Sequence, residues 1–282
     1  MSDYTVAVTG ATGKTGRNVV STALERGWHV RALSRQPAAR GQWIPFDWDN
    51  QRSWSLAFAG SDAAYILIPF KHPGAAERTP DLIRSAAAAG VERIVLLSSL
   101  DAGHAAANSA LRVCESALLD VSVHGAVLRP TWFLDNFTTG SFASMIDSGE
   151  LRLPAGTGRI PFIDTRDVAE VAVAAMAADG PSGILELTGP EAIDHAQAAA
   201  ALSTTLGHPI SYNDVPIDAF ITHMATRGFP HEYAQFLADA LHDVATGALT
   251  IPVTDTVQRV CGRPPYTITQ FAQHHLQAQH RQ

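Results

Sequence analysis

The stretch Val6-Ala7-Val8-Thr9-Gly10-Ala11-Thr12-Gly13-Lys14-Thr15-Gly16 decides the fold of this chain. An apolar, strand-forming run ends in glycines spaced as G-x-x-G-x-x-G and leads directly into a helical pattern. Glycine lets a strand turn sharply, lets the backbone approach a pyrophosphate without a Cβ in the way, and lets the helix pack close to the sheet. The stretch therefore predicts a strand-to-helix turn that binds a nucleotide, with the helix N-terminus facing the phosphates.

The neighbouring patterns decide between a nucleotide site and a plain turn, since glycines also serve only as turn residues. A strand pattern at residues 5–9 precedes the motif, a helical pattern at 17–26 follows it, and a second strand pattern lies at 29–34. This is the β-α-β setting in which the motif binds dinucleotides. An ATPase phosphate loop is disfavoured, because that loop needs a glycine where this chain has Val8.

The amino-acid composition limits the kinds of protein and of partner that we expect. The 282 residues are 46% hydrophobic and 17% charged, which is typical of a compact protein with a sizeable core. The formal net charge of -7, without runs of Lys and Arg, argues against a nucleic-acid partner, because phosphate contacts need clustered cations. We therefore expect a small-molecule partner, and a homodimer is left open as the assembly state.

Cysteines, histidines and apolar runs point to a cytoplasmic protein without a metal. Cys114 and Cys261 lack the spacing of metal ligands and are predicted to be small hydrophobic residues in a reducing compartment. His274, His275 and His280 lie in a polar terminal stretch without acidic or cysteine partners nearby. No stretch resembles a signal peptide, and no apolar run reaches the roughly 18 residues of a membrane span. We expect no metal site and no membrane partner.

The end of the second strand pattern indicates the cofactor. Dinucleotide folds read the adenosine ribose there: an acidic residue binds the 2′-hydroxyl of NAD, whereas an arginine suits the 2′-phosphate of NADP. This chain has Ser34 and Arg35 at that point, and no Asp or Glu lies between Glu25 and Asp47. The sequence predicts NADP(H), with Asp47 and Trp48 flanking the adenine; a solvated arginine at a strand end is the alternative.

Strand and helix patterns alternate along the first half of the chain. Apolar strand patterns at residues 63–69, 93–98 and 123–128 are separated by helical patterns at 74–89 and 105–119. This alternation predicts an α/β fold of the Rossmann type, a doubly wound parallel sheet covered by helices on both faces. Ligands then bind beyond the carboxyl ends of the strands. The predicted cofactor-binding residues are Gly10, Thr12, Gly13, Lys14, Thr15, Gly16, Ser34, Arg35, Asp47, Trp48, Ile68, Pro69 and Ser98.

The second half changes character at a loop that contains Pro154, Gly156 and Pro161. We predict an NADP-binding Rossmann domain at residues 1–150. Residues 151–282 are predicted to form mainly a small C-terminal substrate lobe, with some elements returning to the Rossmann domain.

Several stretches together resemble the NmrA-like group of atypical short-chain dehydrogenases. Beside the glycine stretch, they are Leu33-Ser34-Arg35, Leu128-Arg129-Pro130-Thr131-Trp132-Phe133-Leu134-Asp135-Asn136-Phe137 and Phe162-Ile163-Asp164-Thr165-Arg166-Asp167-Val168-Ala169. The run Gly262-Arg263-Pro264-Pro265, followed by Thr269-Gln270-Phe271, is similar to the ending of ergot-alkaloid reductases such as festuclavine and agroclavine dehydrogenases. The resemblance implies an NADP-binding Rossmann fold, with the nicotinamide over the sheet ends and the substrate between the main domain and the small lobe.

The chain departs from the short-chain dehydrogenases in its proton relay. That family usually protonates a carbonyl oxygen through a tyrosine assisted by a lysine one helical turn later. No tyrosine occurs between residues 65 and 212 here, and the only lysines are Lys14 and Lys71. By the family spacing relative to Glu115, Leu111 stands at the lysine position.

The missing relay favours particular acceptors. Hydride transfer to a ketone develops an alkoxide, which needs a proton donor or oxyanion stabiliser. A preformed iminium is neutralised by hydride, and a quinone spreads the charge over its ring. We therefore predict an NADP-dependent oxidoreductase that reduces an imine, an iminium or a conjugated quinone or enone. A regulator that senses NADP without turnover is the alternative.

Candidate site residues follow the strands. Ser98, Asp101 and His104 are the predicted catalytic or proton-handling groups, although a loop Asp or His is more often solvated or capping. A planar cationic substrate would be held by aromatic faces. The predicted substrate-binding residues are Phe70, Trp132, Phe133, Asn136 and Phe137, for which core packing, or loop orientation by Asn136, is the alternative.

Overall fold

The structure, a computed structural model, describes residues 4–69 and 74–279, and side chains up to residue 275. The strands are β1 Thr5–Thr9, β2 His29–Ser34, β3 Gln42–Pro45, β4 Ala63–Leu67, β5 Arg93–Leu97, β6 His124–Pro130, β7 Glu150–Leu153, β8 Gly183–Leu187 and β9 Ser211–Asp214. The helices are α1 Lys14–Glu25, α2 Trp54–Phe58, α3 Ala75–Ala88, α4 Ala110–Leu119, α5 Ala143–Asp147, α6 Thr165–Met176, α7 His195–Leu206, α8 Ile217–Thr226, α9 His231–Ala245, α10 Thr256–Cys261 and α11 Ile268–Gln279.

The chain divides into two compact units. Unit 1 comprises Met1–Thr131, Thr165–Leu187 and Asp255–Pro264, and unit 2 comprises Trp132–Asp164, Thr188–Thr254 and Pro265–Gln282. Residue 150, where we expected a domain boundary, begins β7 inside unit 2. The chain leaves unit 1 earlier, directly after β6, and two later segments return to it.

Unit 1 carries a seven-stranded parallel sheet, which confirms the predicted doubly wound fold. The strand order is β3-β2-β1-β4-β5-β6-β8. The order reverses between β1 and β4, and ligands of such sheets bind beyond the carboxyl ends of the strands at that switch point. All five residues of β5 are buried, as expected for a strand covered on both faces.

Helices cover this sheet and are tied to it through specific contacts. Helix α1 packs on α6, and α3 packs on α4. Arg93 of β5 is 5% exposed, and its guanidinium donates to the carbonyl oxygens of Ala175, Ala178 and Gly180. These oxygens lie at and after the end of α6, where carbonyls lack intrahelical donors. A buried arginine therefore anchors that helix end to the sheet.

The C-terminal run that resembles ergot-alkaloid reductases helps to hold unit 1 together. Arg263 pairs with the carboxylates of Asp167 at 2.8 Å and Glu170 at 2.5 Å, both on α6. Asp167 has no exposed surface, so this contact keeps its charge compensated inside the protein.

Unit 2 contains the two-stranded parallel sheet of β7 and β9, together with α5, α7, α8, α9 and α11. Its fully buried aromatic side chains include Phe137, Phe142 and Phe220. Helix α7 begins at a capping box in which Asp194 and Gln197 bond each other's backbone N–H groups, at 2.8 and 3.0 Å.

Some elements differ from the sequence prediction. Strands β1 and β2 lie where predicted, but α4 begins at Ala110 instead of residue 105. A 3-10 turn at Leu100–Gly103 occupies the segment before it, and Ser109 caps the helix through its hydroxyl. The short helices α2 and α10 were not predicted, because five- and six-residue helices carry too few turns for a periodic pattern. Among the described residues, we find no helix whose length and hydropathy would suit a membrane crossing.

Candidate functional site

The glycine turn lies between β1 and α1 and depends on Gly10 and Gly16. Gly10 has φ +61°, a conformation that favours glycine, and its carbonyl accepts the N–H of Gly13 at 2.8 Å. A Cβ on Gly16 would lie 2.1 Å from the Gly10 oxygen. The start of α1 can therefore pack this closely against the turn only because residue 16 has no side chain.

Hydrogen bonds fix this turn to the neighbouring strands. The hydroxyl of Thr9 donates to the Tyr65 carbonyl at 3.2 Å and accepts the N–H of Leu67 at 2.9 Å, both on β4. Ala11 N–H donates to the Leu33 carbonyl of β2 at 3.2 Å. The turn is thus held at the switch point of the sheet.

This geometry fits the pyrophosphate of a dinucleotide. The first N–H groups of a helix have no intrahelical acceptor and attract anions. Gly13 places no side chain over the start of α1, and Thr12 is exposed beside it. Thr15 is 4% exposed, so its side chain packs inside unit 1 and its backbone N–H is the group left for a phosphate.

Arg35 lies exposed one residue after β2, where the ribose end of a dinucleotide is expected. Ser34 shapes this corner. Its hydroxyl donates to the Gln36 carbonyl at 2.5 Å, and its own carbonyl accepts the indole N–H of Trp43 at 3.2 Å. The buried Ser34 therefore presents Arg35 to solvent and is itself occupied with the backbone.

The other predicted cofactor residues divide between surface and core. Asp47 is exposed, and its carboxylate accepts the N–H of Asp49 at 3.0 Å. Trp48 is half-buried and packs edge-on against Phe46, with ring centroids 5.9 Å apart. Ile68 is 4% exposed and belongs to the hydrophobic core, whereas the following Pro69 is half-buried. Ile68 thus offers a ligand little more than its backbone.

Ser98, directly after β5, is part of a buried charged network. Its hydroxyl donates to Oε1 of Glu115 on α4 at 2.6 Å. Arg129 of β6 holds the same carboxylate with two hydrogen bonds, Nε to Oε1 at 2.9 Å and Nη2 to Oε2 at 2.6 Å. Both side chains of this ion pair are nearly inaccessible, at 3% and 6% exposed. The bond to Glu115 raises the pKa of Arg129.

Asp101 and His104 lie in and directly after the 3-10 turn that follows β5. The Asp101 carboxylate accepts the hydroxyl proton of Ser99 at 2.9 Å, and its carbonyl accepts the N–H of His104 at 3.1 Å. Both residues are exposed. Asp101 is engaged in shaping its own turn, and a proton-handling role for either residue stays a prediction.

Three of the predicted substrate residues occupy different environments in unit 2. Trp132 is half-buried and stacks on Phe142, with ring centroids 6.4 Å apart, and Phe133 is also half-buried. Phe137 has no exposed surface and packs against Phe162 at 5.2 Å between ring centroids, so we do not retain it as a substrate contact.

Of the remaining two predicted substrate residues, the structure describes only Asn136. Asn136 is half-buried and accepts the N–H of Phe142 with its carbonyl at 3.0 Å, so its backbone helps to orient the loop. Phe70 lies outside the described residues.

Sequence reasoning missed the roles of Glu115 and Arg129. The available signal was an arginine inside an otherwise apolar strand and a glutamate on the inward face of a helix, both of which need a partner when buried. In the part of the chain that the structure describes, no group of three His, Cys, Asp or Glu side chains is arranged to hold a metal ion.

Comparison with known proteins places this architecture in a family. The model of the NmrA-like family matches residues 2–249. The chain is 31% identical over 293 residues to an NAD(P)H azoreductase of Xenophilus azovorans, with 97% of this chain and 98% of that protein covered. It is 32% identical over 285 residues to a (4-alkanoyl-5-oxo-2,5-dihydrofuran-3-yl)methyl phosphate reductase of Streptomyces griseus, with 97% and 98% covered.

Further matches bear on the fold and on the resemblance stated from sequence. The structure of the NADPH-dependent quinone oxidoreductase of Escherichia coli complexed with NADPH superimposes with a TM-score of 0.80 at 24% identity, covering 96% of this chain and 99% of that one. A festuclavine dehydrogenase of Aspergillus fumigatus is 29% identical over 240 residues, covering 81% of this chain and 82% of that protein, which confirms the predicted resemblance. This chain belongs to the NmrA-like family.

Proposed function

We propose that this chain is an NADPH-dependent reductase that transfers hydride to a small organic acceptor, either a conjugated quinone- or dye-like molecule or an imine. The proposal rests on two features at the ends of neighbouring strands: the glycine turn after β1, and Arg35 directly after β2. The turn suits a pyrophosphate, and the exposed guanidinium, one strand away, suits the 2′-phosphate that distinguishes NADP from NAD.

The names of the relatives support this class of reaction. They include an azoreductase, a reductase of an oxygen heterocycle and a quinone oxidoreductase solved with NADPH. Azo groups, quinones and unsaturated lactones are all conjugated acceptors. A conjugated acceptor spreads the charge that hydride develops, so it needs less help from a side-chain acid than a ketone does.

The residues of unit 1 support a reduction without a tyrosine acid. Bound NADPH would supply the hydride, while the glycine turn and Arg35 would hold its phosphates. Leu111 lies on α4 at the position that a lysine takes in the usual relay. In the 3-10 turn directly after β5 and at its end, the exposed Asp101 and His104 could exchange a proton with solvent.

The guanidinium of Arg35 should set the preference for NADP over NAD. We expect the variant Arg35→Asp to bind NADP at least tenfold more weakly and to bind NAD no more weakly than before, because the carboxylate repels a 2′-phosphate and accepts hydrogen bonds from a ribose. The measurement is thermal stabilisation by each nucleotide, since a ligand of the folded state raises stability by mass action. Arg40→Asp, on another exposed arginine near β2, is the control. An unchanged preference in Arg35→Asp would remove this role.

Turnover is tested with NADPH and a panel of quinones, azo dyes, enones and cyclic imines. We expect NADPH oxidation with at least one conjugated or imine acceptor and none with simple ketones, because the segment that carries the relay tyrosine in the family has no tyrosine here to protonate an alkoxide. Binding of NADPH without oxidation across the whole panel is the result expected of a nucleotide-sensing regulator, and it would sink the reductase proposal.

A further inference from the structure

The buried Ser98, Glu115 and Arg129 network has a consequence for what Ser98 can bind. A serine hydroxyl has one proton to donate and two lone pairs that accept. In unit 1 the proton is directed to the Glu115 carboxylate over 2.6 Å. A carboxylate can only accept, so this hydrogen bond has a fixed direction.

Arg129 keeps the Glu115 carboxylate ionised, so that it continues to accept the Ser98 proton. Its two parallel hydrogen bonds to Glu115 have the geometry of a guanidinium bound to an ionised carboxylate. Arg112 adds a longer contact of 3.7 Å to Oε2 from the same helix turn. With both oxygens of Glu115 occupied by cationic donors, the Ser98 proton has a charged acceptor in a nearly dry environment.

The position of Ser98 in the sheet indicates which ligand meets it. Arg35 follows β2, the phosphate-binding turn follows β1, and Ser98 follows β5, which is separated from β1 by β4 alone. Neighbouring strands lie about 4.8 Å apart, so Ser98 stands about 10 Å across the sheet from the phosphate-binding turn, on the side away from Arg35. If the proposed cofactor binds as the fold implies, this is the nicotinamide side.

We infer that Glu115 is a positioning residue that turns Ser98 into a dedicated hydrogen-bond acceptor, and that Ser98 binds the carboxamide N–H group of the nicotinamide. This differs from the catalytic, proton-handling role expected from sequence, because a hydroxyl whose proton is held by Glu115 cannot also donate it to a substrate. The inference rests on the proposed NADP cofactor but not on turnover.

The test compares NADP⁺ with its 3-acetylpyridine analogue, in which a methyl group replaces the carboxamide nitrogen and removes the donor. Dissociation constants are measured by calorimetry on the full chain without any acceptor. We expect wild-type protein to bind NADP⁺ about fivefold more tightly than the analogue, the effect of about one hydrogen bond. In Ser98→Ala this ratio should fall close to one.

Glu115→Gln tests the direction of the bond. The glutamine side chain has one acceptor oxygen for the donors of both Ser98 and Arg129, and it carries no charge. The Ser98 proton therefore loses its fixed, charged acceptor, and the ratio should fall below the wild-type value while the hydroxyl remains in place. Ser109→Ala is the control for a loosened α4, because Ser109 caps that helix without touching Ser98. This variant should keep the wild-type ratio.

The outcomes separate this inference from the proposed function. A ratio near one in wild-type protein, or an unchanged ratio in Ser98→Ala, overturns the inference even if NADPH is oxidised. A ratio that responds to both site variants supports it even if no acceptor is reduced. If neither nucleotide binds, the cofactor assignment fails and the inference fails with it.

Discussion

Replacing Arg129 with leucine should lower the free energy of unfolding of unit 1 by about 3–5 kcal/mol, because the change leaves the Glu115 carboxylate buried without its cation. Glu115 is 3% exposed, so water cannot take over the role of the guanidinium. The remaining cation, Arg112, is 3.7 Å away and 37% exposed, which is too distant and too solvated to replace a bidentate pair. Urea unfolding followed by circular dichroism measures the loss.

A double variant shows how much of the lost stability comes from an unpaired buried charge and how much comes from lost side-chain packing. In Arg129→Leu with Glu115→Leu, no charge is left unpaired, so we expect the double variant to be more stable than Arg129→Leu alone. Arg84→Leu is the matched control, since that arginine pairs with Asp81 at the surface and should change stability by less than about 1 kcal/mol. If Arg129→Leu costs no more than this control, the network does not compensate a buried charge.

The framework of unit 1 could be predicted because its signals are local. Strands β1 and β2 are runs bounded by turn residues. Gly10 has a φ of +61°, and Gly16 stands where the backbone of the turn leaves no room for a Cβ. Arg35 is assigned by its place directly after β2. Such features depend on neighbours in sequence, which pattern analysis reads well.

The chemistry around Ser98 could not be predicted in the same way. The hydrogen bond from Ser98 to Glu115 spans 17 residues and depends on where α4 begins. Arg129 reaches Glu115 because β5 and β6 pair in a register that sets Leu97 beside Leu128. Neither the helix start nor the strand register is encoded by a short motif, so the orientation of the Ser98 proton emerges only from the packed structure.

Unit 2 contains a buried histidine whose effect on stability can be measured. His195, the first residue of α7, has no exposed surface, and neither ring nitrogen has a hydrogen-bond partner among the described residues. It lies among aromatic rings, with the centroid of Phe162 at 5.4 Å and that of Tyr212 at 5.9 Å. Burial lowers the pKa of His195 from 6.5 to about 4, and the charge of Asp194 opposes this shift only in part.

This lowered pKa makes the stability of unit 2 depend on pH in a defined direction. The folded state holds a neutral imidazole, whereas the unfolded chain takes up a proton below about pH 6.5, so stability falls as the pH falls from 6.5. The loss is complete only below pH 4, where the folded state is protonated as well. Between pH 7 and pH 4 we expect this histidine to cost about 3 kcal/mol of the free energy of unfolding.

The variant His195→Phe isolates that contribution, because it keeps a ring among the aromatic side chains but cannot take up a proton. Urea unfolding at a series of pH values should show a wild-type curve that falls about 3 kcal/mol further than the variant curve between pH 7 and pH 4. His231→Gln, at an exposed histidine, should follow the wild-type curve. The comparison uses the change in the free energy of unfolding with pH, so it holds even if the larger phenylalanine ring lowers stability at pH 7. Parallel curves for wild type and His195→Phe would show that the buried imidazole does not make unit 2 sensitive to acid.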